Sequence, residues 1–238
     1  MIAASAGVLT VLAVYLLALE ILKDRSYALF AAFILTLSPT HIHFSRVAYS
    51  NVLGGLFSVF AVLFYLRWLK KFRIGNILLA LFFFLLSIFS YQTYRIFLPI
   101  VFVLTPLVLW RDLKKNDCLK ILASTFLFLG IVGLSFVSPQ SRRRVQETSA
   151  LFNRPAIVEQ INEDGIAGTS VFVARLFHNK VASAAFGFLG RYFSYFDPRF
   201  LFVEVSGETQ RHATPGIGFL YLVDAFFVLV GTDRKSVV

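Results

Sequence analysis

Apolar runs long enough to cross a bilayer dominate this chain. The first, Ile2–Leu22, holds one charge, Glu20, near its end. An α-helix rises 1.5 Å per residue, so about 20 apolar residues cross the roughly 30 Å hydrocarbon core of a membrane. Six further runs follow at Tyr27–Phe44, Val52–Leu69, Ile74–Ser90, Ile96–Trp110, Leu119–Val137 and Gly216–Val230. With 58% hydrophobic residues, 28 Phe and 15% charged residues, a soluble domain of this length cannot hide its apolar surface. The expected fold is all-α: a polytopic transmembrane helix bundle. Tyr27–Phe44 is the weakest run. Its purely apolar part, Ala28–Leu37, is short, and Pro39, His41 and His43 follow. A kinked span and one that enters and returns both fit. Met1 opens directly into an apolar run too long for a signal h-region. The run reads as a span, and a natural chain that begins earlier is the other reading.

Charge sets the expected orientation. The net charge of +10 would suit nucleic acid, but the basic residues sit in short clusters between apolar runs. One set of connectors holds Lys23, Arg25, Arg67, Lys70, Lys71, Arg73, Arg111, Lys114, Lys115, Lys120, Arg234 and Lys235. The alternate short connectors hold only Arg46 and Arg95. Twelve against two is a positive-inside bias. The first set is expected in the cytoplasm, and the turns at Ser45–Asn51 and Tyr91–Arg95 outside. The chain then divides into residues 1–137, with about six spans; an extracytoplasmic loop over 138–215; and 216–238, a last span with a cytoplasmic tail. Within the loop, Ser170–Tyr195 is rich in Phe, Ala and Val with spaced basic residues, which suits one or two helices lying in the membrane interface. Asp197-Pro198 and Ser206-Gly207 mark turns. The lone Cys118 permits no internal disulfide.

The most unusual segment is Ser38-Pro-Thr-His-Ile-His-Phe-Ser-Arg46, at the expected outer end of a hydrophobic hairpin. His41, His43 and Arg46 either anchor the interface or form an anion site, since a guanidinium fork pairs with two phosphate oxygens. The His-x-His pair lacks an evident third metal ligand. In Tyr91-Gln-Thr-Tyr-Arg95, Tyr94 is an interfacial anchor or a substrate contact, and Arg95 either snorkels or adds a cation. Arg211 and His212, before the last span, stand on the same expected side. Asp224 lies inside that span. A carboxylate there is costly and needs either a hydrogen bond to a neighbouring helix or a functional role. Glu20, near a span end, can snorkel. The loop acids Glu147, Glu159, Glu163, Asp164, Asp197, Glu204 and Glu208 show no spacing that demands acid–base work.

Ser38–Arg46 resembles the Ser-Pro-x-His-x-x-x-Ser-Arg/Gln segment of polytopic GT-C glycosyltransferases. Tyr192-Phe-Ser-Tyr-Phe-Asp-Pro-Arg-Phe-Leu-Phe202, followed by Arg211-His-Ala-Thr-Pro-Gly-Ile-Gly-Phe-Leu-Tyr221, is similar to the segment closing the large external loop in many bacterial members. That group includes protein O-mannosyltransferases, the aminoarabinose transferase of lipid A and galacturonosyltransferases. The resemblance implies an inverting transferase in the cell membrane with a polyprenyl-phosphate sugar as donor, an unknown acceptor approaching from outside, and no cofactor. It implies donor contacts from His41, His43, Arg46, Tyr94, Arg95, Arg211 and His212. It also implies a catalytic carboxylate on an acidic first loop, expected upstream of Met1 because residues 1–26 supply none; this chain then reads as a fragment. The other reading, a transporter or flippase for a lipid-linked sugar, predicts polar residues at mid-membrane depth. They gather instead at the outer span ends, apart from Asp224.

Overall fold

The computed structural model describes residues 2–47, 50–109, 117–137, 180–203, 218, 220–222 and 224–226. The chain divides into two compact units, Met1–Gly133 with Phe202–Val238, and Leu134–Leu201. Among the described residues of the first unit lie seven helices: α1 (Ile2–Leu22), α2 (Arg25–Leu37), α3 (Pro39–Arg46), α4 (Ser50–Lys71), α5 (Ile74–Ser90), α6 (Tyr94–Val108) and α7 (Cys118–Ser135). There is no strand among the described residues. The chain is thus an all-α helix bundle.

α1, α4 and α7 are long and apolar enough to cross a membrane. The expected second span is broken in two, with α2 and α3 meeting at 59°. Ser38-Pro39 sets the break. A residue before proline is pushed out of the helical region, and Ser38 adopts φ −59°, ψ 124°. Its N–H still closes α2 on Leu35 O, while its Oγ accepts the His41 N–H and caps α3. Pro39 stands where a helix needs no N–H donor. α5 and α6 are shorter apolar helices. Of the seventh expected span, Gly216–Val230, only seven residues are described.

α4 is the central helix, with α1 and α5 packed along it. α1 and α4 run parallel: Ala6 and Ala13 pack with Leu56 toward one end, and Glu20 pairs with Arg67 and Lys70 at the other. At that second end Lys23 and Phe72 close α1 and α4 with positive φ, 56° and 47°, and their N–H groups return to Leu19 O and Trp68 O. Asp24 then caps α2 through the Ser26 and Tyr27 N–H groups.

Where α4 to α7 meet, the core is aromatic. Tyr65 stacks on Phe102 at 4.4 Å between ring centres, and Phe128 of α7 meets Phe84 and Phe102 edge-on. Pro106 lacks the N–H that would bond Phe102 O four residues back. The buried Tyr65 hydroxyl donates to that carbonyl at 3.2 Å.

In the second unit, α8 (Lys180–Ser194) is followed by a turn at Asp197, whose Oδ1 accepts the Arg199 N–H. Phe186, Phe188, Leu189, Tyr192 and Phe193 are all exposed. At 100° per residue they fall within one half of the helix, opposite Gly187, Gly190, Arg191 and Ser194.

Candidate functional site

The N-terminal halves of α1, α4 and α6 and the bend between α2 and α3 converge at one end of the bundle. They form an open-sided pocket of about 290 Å³ lined by Thr10, Leu35, Ser38, Thr40, His41, Phe44, Asn51, Val52, Gly55 and Tyr94. Hydroxyls, an imidazole and a carboxamide share its wall with aliphatic and aromatic carbon.

Two close approaches build this end. At Gly7 of α1, an added Cβ would collide with the Ser45 side chain of α3. The same turn offers Gly7 O to His41 Nε2 at 3.2 Å. A carbonyl only accepts, so the proton sits on Nε2. Ser45 Oγ donates to His41 O at 2.7 Å. The second approach is α6 against α4. A Cβ on Gly54 would lie 2.5 Å from Tyr94 Cε2, and one on Gly55 3.1 Å from its hydroxyl. The glycines therefore seat the Tyr94 ring against α4. Ser87 of α5 donates to Gly54 O at 2.8 Å and ties a third helix to the same turn. Tyr94 Oη donates to Asn51 Oδ1 at 2.9 Å and lies 3.3 Å from Asn51 O.

The expected site residues divide accordingly. His41 and Tyr94 line the cavity. His43 lies on the same short helix, edge-on to Phe44 at 5.7 Å, and Arg46 is exposed at its end. Arg95 directs Nε to Ile88 O at 3.1 Å, satisfying a carbonyl near the end of α5. Asp224 Oδ2 accepts the Tyr221 N–H at 2.9 Å, so its carboxylate caps its own turn. Arg211 and His212 lie outside the described residues. Among the described residues no three His, Cys, Asp or Glu side chains gather as metal ligands.

Four polar residues of the wall, Thr10, Ser38, Thr40 and Asn51, were not expected there as contacts. Ser38 and Thr40 lie inside the conspicuous motif, and their hydroxyls bond each other at 2.9 Å. Thr10 and Asn51 carry no comparable signal. The opposite end of the bundle also holds more than snorkelling: Glu20 Oε1 meets Lys70 Nζ at 2.7 Å, and Oε2 meets Arg67 Nε at 3.1 Å.

A family model described as dolichyl-phosphate-mannose-protein mannosyltransferase matches residues 1–141, more than half of the chain and all of α1 to α7. The chain belongs to this mannosyltransferase family. Among curated proteins and among solved structures nothing matches it. Membership makes it a membrane glycosyltransferase in general terms, in agreement with the apolar helices of the bundle. The matched region includes the whole cavity wall, from Thr10 to Tyr94.

Proposed function

We propose that this mannosyltransferase-family protein moves a sugar from a polyprenyl-phosphate donor to an acceptor on the extracytoplasmic side, with inversion at the sugar carbon. The observation that carries the reading is the mixed lining of the cavity. Leu35, Phe44 and Val52 suit an isoprenoid chain, while Ser38, Thr40, His41 and Asn51 suit a phosphate and a sugar. Arg46, exposed at the end of the short helix that carries His41, is the cation assigned to the phosphate in this reading. In this reading an acceptor oxygen attacks the anomeric carbon, the bond to phosphate oxygen breaks, and polyprenyl phosphate departs. A carboxylate takes the acceptor proton. No carboxylate belongs to the cavity wall, so that base is assigned outside it.

Sidedness follows from charge. Lys70 and Lys71 close α4 at the end away from the cavity, and Lys23, Arg25 and Arg73 flank the same turns. Basic residues mark the cytoplasmic face, which turns the cavity outward and makes 138–215 an extracytoplasmic loop. The flippase reading lacks a matching observation. The buried polar side chains among the described residues, Ser58, Ser87 and Ser124, each donate to a backbone carbonyl.

The test is binding of polyprenyl phosphate to the chain in nanodiscs, with polyprenol as the control. Saturable binding that depends on the phosphate is expected. Arg46→Ala should weaken it about tenfold or more, the value of a charge-assisted hydrogen bond. Equal affinity for polyprenol and its phosphate would refute the donor assignment.

A further inference from the structure

Most polar groups of the cavity wall are already engaged. Thr10 Oγ1 donates to Ala6 O at 2.7 Å. One of the Ser38 and Thr40 hydroxyls donates to the other, which leaves that pair a single spare proton, and His41 Nε2 donates to Gly7 O. Asn51 differs. Its Oδ1 accepts the Tyr94 hydroxyl at 2.9 Å, which sets the amide so that Nδ2 points away from the phenol with two N–H groups. Those N–H groups have no partner among the described residues. A carboxamide with its oxygen pinned and its nitrogen free, in the wall of a cavity, is a fixed double donor. It suits an oxygen anion, which only accepts.

We infer that Asn51 Nδ2 contacts a phosphate oxygen of the cavity's ligand and that Tyr94 is a positioning residue acting through the Asn51 amide. The inference rests on the donor reading above. It reassigns Tyr94, whose single hydroxyl proton is spent on Asn51 rather than offered to substrate. It also gives Gly54 a purpose: a Cβ there displaces the Tyr94 ring, and with it the group that orients the amide, while a Cβ on Gly55 would crowd the hydroxyl. The bond is local to the outer turns of α4 and α6, so an isosteric change at residue 51 perturbs recognition without opening the bundle.

The experiment uses the full chain in nanodiscs and three probes: polyprenyl phosphate, polyprenol and inorganic phosphate. Asn51→Asp keeps the shape and replaces both donors by an anionic oxygen. It should lower polyprenyl-phosphate affinity about tenfold to hundredfold and leave polyprenol binding unchanged. Tyr94→Phe should lower it less, about threefold to tenfold, because the amide stays but is free to turn. Asn51→Ala serves if the aspartate variant does not fold. The inference is overturned if Asn51→Asp binds polyprenyl phosphate like the parent. It is equally overturned if polyprenol binding falls in parallel, because the amide then only shapes the cavity. Should the parent chain bind no polyprenyl phosphate, the donor reading fails instead. The Asn51 contact then survives only if inorganic phosphate binds and is lost in Asn51→Asp.

Discussion

Removing the Tyr65 hydroxyl tests whether the proline in α6 imposes a requirement on α4. Pro106 leaves Phe102 O without its helical donor, and Tyr65 Oη fills the place at 3.2 Å inside the aromatic core. Tyr65→Phe retains the ring and its stacking on Phe102, so the change isolates the hydroxyl. Side-chain hydrogen bonds between membrane helices average about 0.6 kcal/mol and reach about 1.7. Here water cannot replace the lost donor, and an orphaned buried acceptor costs about 1–3 kcal/mol. A loss of about 1–2 kcal/mol follows. Part of it belongs to Ser124 and Thr125, whose side chains also meet this hydroxyl. Pro106→Ala separates the shares, because alanine restores an N–H to Phe102 O. In that background Tyr65→Phe should cost about 1 kcal/mol less. Unfolding by SDS titration in mixed micelles, followed by circular dichroism, measures all four corners of the cycle. An equal cost in both backgrounds would refute the link between the tyrosine and the proline and assign the whole effect to the α7 hydroxyls.

Gly54→Ala should weaken both fold and binding. Helix propensity favours alanine by about 1 kcal/mol, but the 2.5 Å approach to Tyr94 Cε2 brings an overpacking cost of about 1–3 kcal/mol. A stabilised variant in the same SDS titration would show that the ring moves freely. Glu20→Gln should lower stability by no more than about 1 kcal/mol, because its partners are about one-third exposed, and a double-mutant cycle with Arg67→Met checks the pairing. Spin labels placed in turn at Phe188, Leu189, Gly190 and Ser194, with Cys118 replaced by Ser, test the exposed aromatic half of α8 in nanodiscs. The first two should favour oxygen over a water-soluble nickel reagent, at a depth of about 5–10 Å, and the last two the reverse. Nickel access at all four would place the helix in water.

The bend at Ser38-Pro39 was legible because proline chemistry is local. A residue pair decides the backbone, whatever packs around it. The two ends of the bundle were legible for a different reason: alternate connectors must lie on opposite faces, so counting Lys and Arg separates the Arg67 and Lys70 end from the Asn51 and Tyr94 end. Rotation about each helix axis carries no such mark. α1 and α4 are apolar all round, and hydropathy cannot say that Thr10 faces the cavity while Thr36, with its hydroxyl also on its own helix, is absent from the wall. Arg95 shows the same gap in another form. Its position beside the candidate site was readable, but whether its guanidinium serves a ligand or the end of α5 depends on which acceptor is nearer, and Ile88 O lies at 3.1 Å. What decides the cavity wall is thus the close contact permitted by Gly7 and Gly54. A glycine among apolar residues reads as a weak point in a helix until the partner that needs its missing Cβ is known, and both partners here, Ser45 and Tyr94, come from other helices.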